Sequence, residues 1–477
     1  MLKTLHYLYL ARVQVEATTP ISVQTGQSEL NYDTALVRDA NGLPTLPATS
    51  IRGVLRHLSQ QQLGKEQAQS LFGYSQVDKT THSEEAQISH IQVSWGMLHN
   101  ADNKPVEGLI REYDFLLDEL KQSQPIKRER VRLNDKGCAE DGGKFDVTAV
   151  PKGTRFTFEL KYWSEQKNDT NWQSLLNLMN QPAFRLGSNT RSGFGDLCVR
   201  HIMEGRYNLR KAEDIASWQV LSRSLSDTHS LTKKEIKQPD NNTSITATIN
   251  LTGEGFMRIG GGDLPVHDKK DPADLRMQSE KYLTWGSGKA EFSQRYPLIP
   301  GSAIKGALAH RLTFHDNRIN GQFTDKMDSD ERQAAVDRKN TPIARQLLGF
   351  ASDTDKSQDG TRKSDGAAGQ VLINDVYLDG PVQTSKLWHN KIDRFTGGVI
   401  DSALYSEEVL YQPEFTFSLT FLKPEEATPV ARQAIKATLE DLCQGRLSLG
   451  ASGSRGLGSC TGNIDWSDDG QWIKGEA

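Results

Sequence analysis

LPTLPATSIRGVLRHL, Leu43 to Leu58, and YPLIPGSAIKGALAHRL, Tyr296 to Leu312, are two versions of one pattern. In both, a Pro/Gly turn is followed by a small hydroxyl residue, an isoleucine, a basic residue and a glycine, and then by apolar residues at helical spacing. Pro47, Ile51 and Gly53 stand in register with Pro300, Ile304 and Gly306. Working outward, further landmarks recur in the same order. AQSLFGY ending at Tyr74 matches ARQLLGF ending at Phe350, and SHIQVSWGML from Ser89 resembles GQVLINDVYL from Gly369. FTFEL, Phe156 to Leu160, matches FTFSL, Phe415 to Leu419, and RLGSNTRSGFGDL from Arg185 matches SLGASGSRGLGSC from Ser448. One short Gly- or Leu-rich match is worth little; several in order mean an internal duplication.

The duplication divides the 477 residues into a first copy, 1–207, a linker, 208–242, a second copy, 243–465, and a short tail, 466–477. LHYLYLARVQVEA and SITATINLTG alternate with period two and predict a half-buried strand at the start of each copy. Thr49 or Ser50, and Ser302, sit where a helix N-cap belongs. A second helix follows in each copy, WQSLLNLMN and ARQAIKATLEDLC. The expected class is α+β: two tandem ferredoxin-like or RRM-like domains carrying inserted hairpins and Gly-rich loops.

Composition narrows the function. A net charge of −4 with 25% charged residues excludes a uniformly basic coat, so any nucleic-acid site must be a local patch. Four cysteines without a CxxC pair suggest neither a zinc knuckle nor a disulfide framework, and the eleven histidines show no HxH or HExxH spacing. No signal peptide or membrane-spanning run is expected, which makes the cytoplasm the default location.

Three motifs carry local positive charge. Helix starts bearing Ser50 with Arg52, and Ser302 with Lys305, present backbone N–H groups and a cation, a combination that suits phosphate. Their plain alternative is an ordinary capped helix. The loops with Arg191, Gly193 and Gly195, and with Arg455, Gly456 and Gly458, allow close backbone approach to a sugar-phosphate chain, or are simply tight turns. PIKRERVRLN gathers Lys127, Arg128, Arg130 and Arg132, and NKIDRFTGG in the second copy keeps Arg394. Such a run reads along an RNA strand or is a solvated face.

At these residues the chain resembles the RAMP superfamily, in particular Cas7-like backbone subunits (Csm3- and Cmr4-type) of type III CRISPR effectors. DTALVRDANGLPTLPATSIRGVLR, Asp33 to Arg56, is similar to their N-terminal signature, and IDRFTGGVIDSALYSEEVL, Ile392 to Leu410, to their thumb region; RSGFGDL and SRGLGSC resemble their Gly-rich loop. Two copies in one chain resemble the fused effectors of type III-D systems. The resemblance implies an RRM-like palm with a hairpin thumb, guide RNA held by its backbone, and complementary target RNA cut by a loop aspartate with Mg²⁺ or Mn²⁺. Asp33 matches that aspartate. Further Cas7-like, Cas5-like and Cas10-type subunits are the implied partners. In the second copy, counting back from Pro300 gives Gly286, while Asp263, Asp268, Asp271 and Asp274 lie in the longer loop before it. A non-catalytic scaffold, or a Cas6-like processing ribonuclease, are the alternatives.

Overall fold

The computed structural model describes residues 5–28, 32–77, 84–134, 138–236, 244–266, 270–332, 341–350 and 366–475. The first copy is built from β1 (Tyr7–Ala17), α1 (Ala48–Leu63), β2 (Ile91–Val93), a hairpin of β3 (Ile126–Leu133) and β4 (Ala139–Ala149), β5 (Arg155–Ser164), α2 (Thr170–Leu178) and β6 (Leu197–Asn208). Setting the hairpin aside, its antiparallel sheet runs last, first, third, second strand: β6, β1, β5, β2. That is the order of a ferredoxin-like split βαβ fold.

The second copy repeats it. β7 (Ile245–Gly253), the added hairpin β8 (Leu283–Gly286) and β9 (Lys289–Phe292), α3 (Gly301–Ile319), β10 (Val371–Ile373), the hairpin β11 (Gln383–His389) and β12 (Tyr405–Tyr411), β13 (Glu414–Phe421), α4 (Pro429–Cys443) and β14 (Cys460–Trp466) follow in that order. Its sheet runs β14, β7, β13, β10. The repeated FTF segments lie on β5 and β13 and pair with the first strand of each copy, Val13 opposite Phe158 and Ile249 opposite Phe417.

Each sheet packs its helices over a separate core. Ile51, Leu55 and Leu58 on α1, and Ile304, Leu308 and Leu312 on α3, are the buried helix faces that the apolar spacing predicts. Neither helix has a hydroxyl N-cap. Pro47 and Pro300 occupy the cap position with no side-chain hydrogen bond, so Thr49, Ser50 and Ser302 fall inside the first turn. Proline serves there because its fixed φ suits the entry and its missing N–H is not needed.

Two expectations change. β1 is buried on both faces, with Leu8 and Leu10 packed against Tyr207 and Leu231. The cover comes from the segment read as a linker: its first part is helical, Ala212–Val220, as its sequence allows, while Leu231 packs on β1 and Thr232–Lys233 adds an edge strand to β6. In the tail, Trp472 is buried against the second core.

The β8–β9 hairpin reaches from the second copy into the first. Leu283 N–H donates to Lys152 O at 2.8 Å, Trp285 Nε1 to Gly153 O at 2.7 Å, and Ala290 N–H to Ala101 O at 2.8 Å. Leu283 and Ala290 complete the first hydrophobic core. Gly286 therefore belongs to this inserted arm and is no counterpart of Asp33.

Candidate functional site

The junction between the copies collects residues from three of the basic motifs. Arg128, on β3, is only 2% exposed. Its Nε and Nη2 donate to the two carboxylate oxygens of Glu280 at 2.5 and 2.7 Å, and Nη1 donates to Asp375 Oδ2 at 2.6 Å. Tyr377 donates its hydroxyl to Glu280, and Gly301 N–H, in the first turn of α3, donates to Asp375 Oδ1 at 2.7 Å. Burial opposes the guanidinium charge, but Asp375 and Glu280 outweigh it and hold the Arg128 pKa well above its ordinary value. Arg128 thus leaves the basic face on which the sequence places it and fastens the two copies together.

Its neighbours are less well partnered. Arg130 donates from Nη1 to Asn189 Oδ1 at 2.9 Å and lies over the Phe194 ring, while its buried Nε and Nη2 have no acceptor among the described residues. Arg191 donates from Nε to Gly369 O at 2.8 Å. Lys305, from α3, reaches only Ser192 Oγ among the described residues, at 3.5 Å. Burial pushes Arg130 down to about 10, helped by Arg128, and Arg191 to about 10, helped by Arg185. Lys305 is lowered to about 8 by burial and by Arg191 and Arg130. These are crowded, partly desolvated cations with donors to spare, and an anion relieves both conditions.

Gly193 is bare for the sake of this junction: at φ +108°, an added Cβ would stand 2.0 Å from Asp375 Oδ1. Gly195 packs on Leu186 O and Gly458 on Leu449 O, whereas Gly456 faces open space. The remaining basic candidates lie apart. Arg52 is turned onto Phe72 of its own copy, and Ser50 N–H closes the turn on Pro47 O. Lys127 sits between Glu129, at 3.3 Å, and Asp146, at 4.0 Å; Arg132 is 59% exposed, and Arg394 is exposed in the turn beyond β11. Arg455 donates to Tyr405 and Ser452, both at 2.6 Å.

Asp33 is exposed and fastened to β4. Its N–H donates to Asp146 Oδ1 at 3.0 Å, and Asp146 N–H donates back to Asp33 Oδ2 at 2.8 Å. Thr148 N–H and hydroxyl add bonds to Thr34 Oγ1 and O. Among the described residues, no hydrogen bond reaches Asp33 Oδ1. Asp146 escapes sequence reading because it lies 113 residues away; only the reciprocal pairing reveals it.

Among the second-copy candidates, Asp274 is bonded to Ser406 and Asp271 is paired with Lys386 at 2.8 Å. Asp263 lends its carbonyl to Arg276, and Asp268 lies outside the described residues. Among the described residues, no three or more His, Cys, Asp or Glu side chains converge as a metal cage. No described helix is long and apolar enough to cross a membrane.

A family model described as the RAMP superfamily matches residues 14–198 and 250–461, most of both copies. No curated protein matches the chain. Among solved structures, the chain is similar to one in a cryo-EM structure of the Type III-B Cmr-beta bound to cognate target RNA. Identity is 17% and the TM-score 0.28; the match covers 43% of this chain and 62% of that one, less than two thirds of its length.

Proposed function

This chain belongs to the RAMP superfamily, and on that premise we propose that it is a Cas7-like backbone subunit of a type III CRISPR effector, which holds guide RNA and cuts complementary target RNA at Asp33. The observation that carries the binding half is the junction, where Arg130, Arg191 and Lys305 crowd together and two buried guanidinium nitrogens lack an acceptor among the described residues. A guide phosphate is the anion that fits this proposal. The exposed Arg132 and Arg394 lie apart from this cluster and are further candidates for phosphate contact.

Cutting needs little from the protein, because RNA carries its own nucleophile. The 2′-oxygen attacks the adjacent phosphorus, its proton leaves, and the P–O5′ bond breaks. The departing 5′-oxygen takes up a proton, leaving a 2′,3′-cyclic phosphate and a 5′-hydroxyl. Asp33, with one oxygen held by Asp146 N–H and the other uncommitted, is placed to accept the proton or orient the hydroxyl. Asp33 and Asp146 offer hard carboxylate oxygens, the donor type Mg²⁺ and Mn²⁺ take, and a cation bound there would offset developing negative charge.

The test is reconstitution of the effector with guide and end-labelled complementary RNA, with and without Mg²⁺. Asp33→Ala should preserve RNA binding and slow one cut by about a hundredfold or more. An unchanged cleavage ladder would leave the chain as an RNA-binding scaffold.

A further inference from the structure

Backbone pairing, rather than counting, shows which second-copy residue corresponds to Asp33. In the first copy Ser188 N–H donates to Ser22 O, Val37 N–H donates to Val23 O, and Gln24 bridges Leu36. In the second copy Ala451 N–H donates to Arg258 O, Gln278 N–H donates to Ile259 O, and Gly260 pairs with Met277. The segment from Ser22 to Gln24 thus corresponds to that from Arg258 to Gly260, and Leu36 to Met277. The third residue before Leu36 is Asp33, and the third before Met277 is Asp274.

The side chains repeat the correspondence independently. Asp274 N–H donates to Ser406 Oγ at 3.2 Å, and Ser406 N–H donates back to Asp274 Oδ2 at 2.8 Å. This is the reciprocal clip of Asp33 with Asp146, again on the returning strand of the hairpin, here β12. The Ser406 hydroxyl adds a bond to the same Oδ2, also at 2.8 Å, which leaves Oδ1 uncommitted as in Asp33. Neither Asp263 nor Asp271 makes such a clip: Asp271 is paired with Lys386 on the outgoing strand.

We propose that Asp274 is the second cutting carboxylate, one in each copy, and that Ser406 is its positioning residue as Asp146 is for Asp33. The inference rests on the reading of the chain as an RNA-cutting subunit. The reaction is the same 2′-oxygen attack and consumes no co-reactant. Ser406 N–H and hydroxyl hold the Asp274 carboxyl below the ordinary carboxylate range, so it stays a carboxylate that can accept a hydrogen bond from the 2′-hydroxyl and orient it.

The experiment uses the full effector, guide and labelled complementary RNA, with fragments mapped for Asp33→Ala, Asp274→Ala, Asp274→Asn, Ser406→Ala and Ser406→Thr. Two of the parent's cuts are expected to depend on this chain. Asp274→Ala and Asp274→Asn each remove one cut that survives Asp33→Ala, with guide binding unchanged. Ser406→Ala lowers kcat at that cut about tenfold without altering target affinity, and Ser406→Thr, which keeps the hydroxyl, restores it. The asparagine keeps an acceptor for Ser406, so its loss of cutting reports chemistry rather than folding. A fragment ladder that both Asp274 variants leave unchanged overturns the inference. Insensitivity of every cut to Asp33→Ala overturns the underlying reading instead.

Discussion

The two copies share one sheet order, yet they treat the start of their first helix in opposite ways. Leu46 bridges Gly96 in the first copy and Ile299 pairs with Val376 in the second, so Trp95 and Asp375 occupy the same place. Asp375 is buried, caps α3 through Gly301 and receives Arg128; Trp95 is 47% exposed. The hairpins differ to match. Arg128 faces Val147, one residue beyond Asp146, and its counterpart Leu387 faces Glu407, one beyond Ser406. Duplication supplied two equal frames. Asp375 and Arg128, together with Glu280, make one helix start an internal ionic joint, and Trp95 leaves the other open.

The largest effect should come from breaking the joint. Arg128→Met strands Glu280 and Asp375 as buried carboxylates, and unfolding in urea should register a loss of ~3–5 kcal/mol. Adding Glu280→Gln and Asp375→Asn removes the uncompensated charge and should return much of it.

Gly193→Ala tests the same joint from the loop side. Its φ of +108° and the 2.0 Å approach to Asp375 force a backbone shift, and thermal unfolding should show a cost of ~1–3 kcal/mol.

A smaller effect concerns Lys305, whose pKa near 8 belongs to the RNA-free protein. An RNA phosphate favours the charged form, so guide affinity should fall by up to about tenfold per pH unit as pH rises above about 8. Filter binding across that range checks it, and Lys305→Arg should flatten the profile. The stability sign is opposite: between about 8 and the ordinary lysine value the unfolded chain holds the extra proton, so the RNA-free protein gains stability as pH rises. The smallest effect sharpens the comparison directly. Trp95→Asp copies Asp375 and should stabilise the first copy by ~0.5–1 kcal/mol through the open end of α1, read by urea unfolding.

Much of the fold was legible because prolines, glycines and buried isoleucines recur wherever the backbone needs them: Pro47 with Pro300, Ile51 with Ile304. The joint was not, since a run such as Lys127 to Arg132 looks solvated until its partners are known, and Arg128 finds them 152 and 247 residues away. Asp33 stood out through family resemblance, whereas its second-copy counterpart was hidden by the β8–β9 insertion, which displaces any count made from Pro300. The hydroxyl caps failed for a local reason: a proline two or three residues upstream already fixes the helix entry.

The arm formed by β8 and β9 also bears on how the molecule comes into being. Leu283 and Ala290 fill the interior of the first copy but are synthesised only after the second copy has begun. A nascent first domain therefore leaves the ribosome with an incomplete interior, exposed to chaperones and proteases until its sibling's hairpin arrives. A gene split after Tyr207 would yield an amino-terminal half that lacks part of its own core, so the fusion, once the arm had evolved, became difficult to reverse.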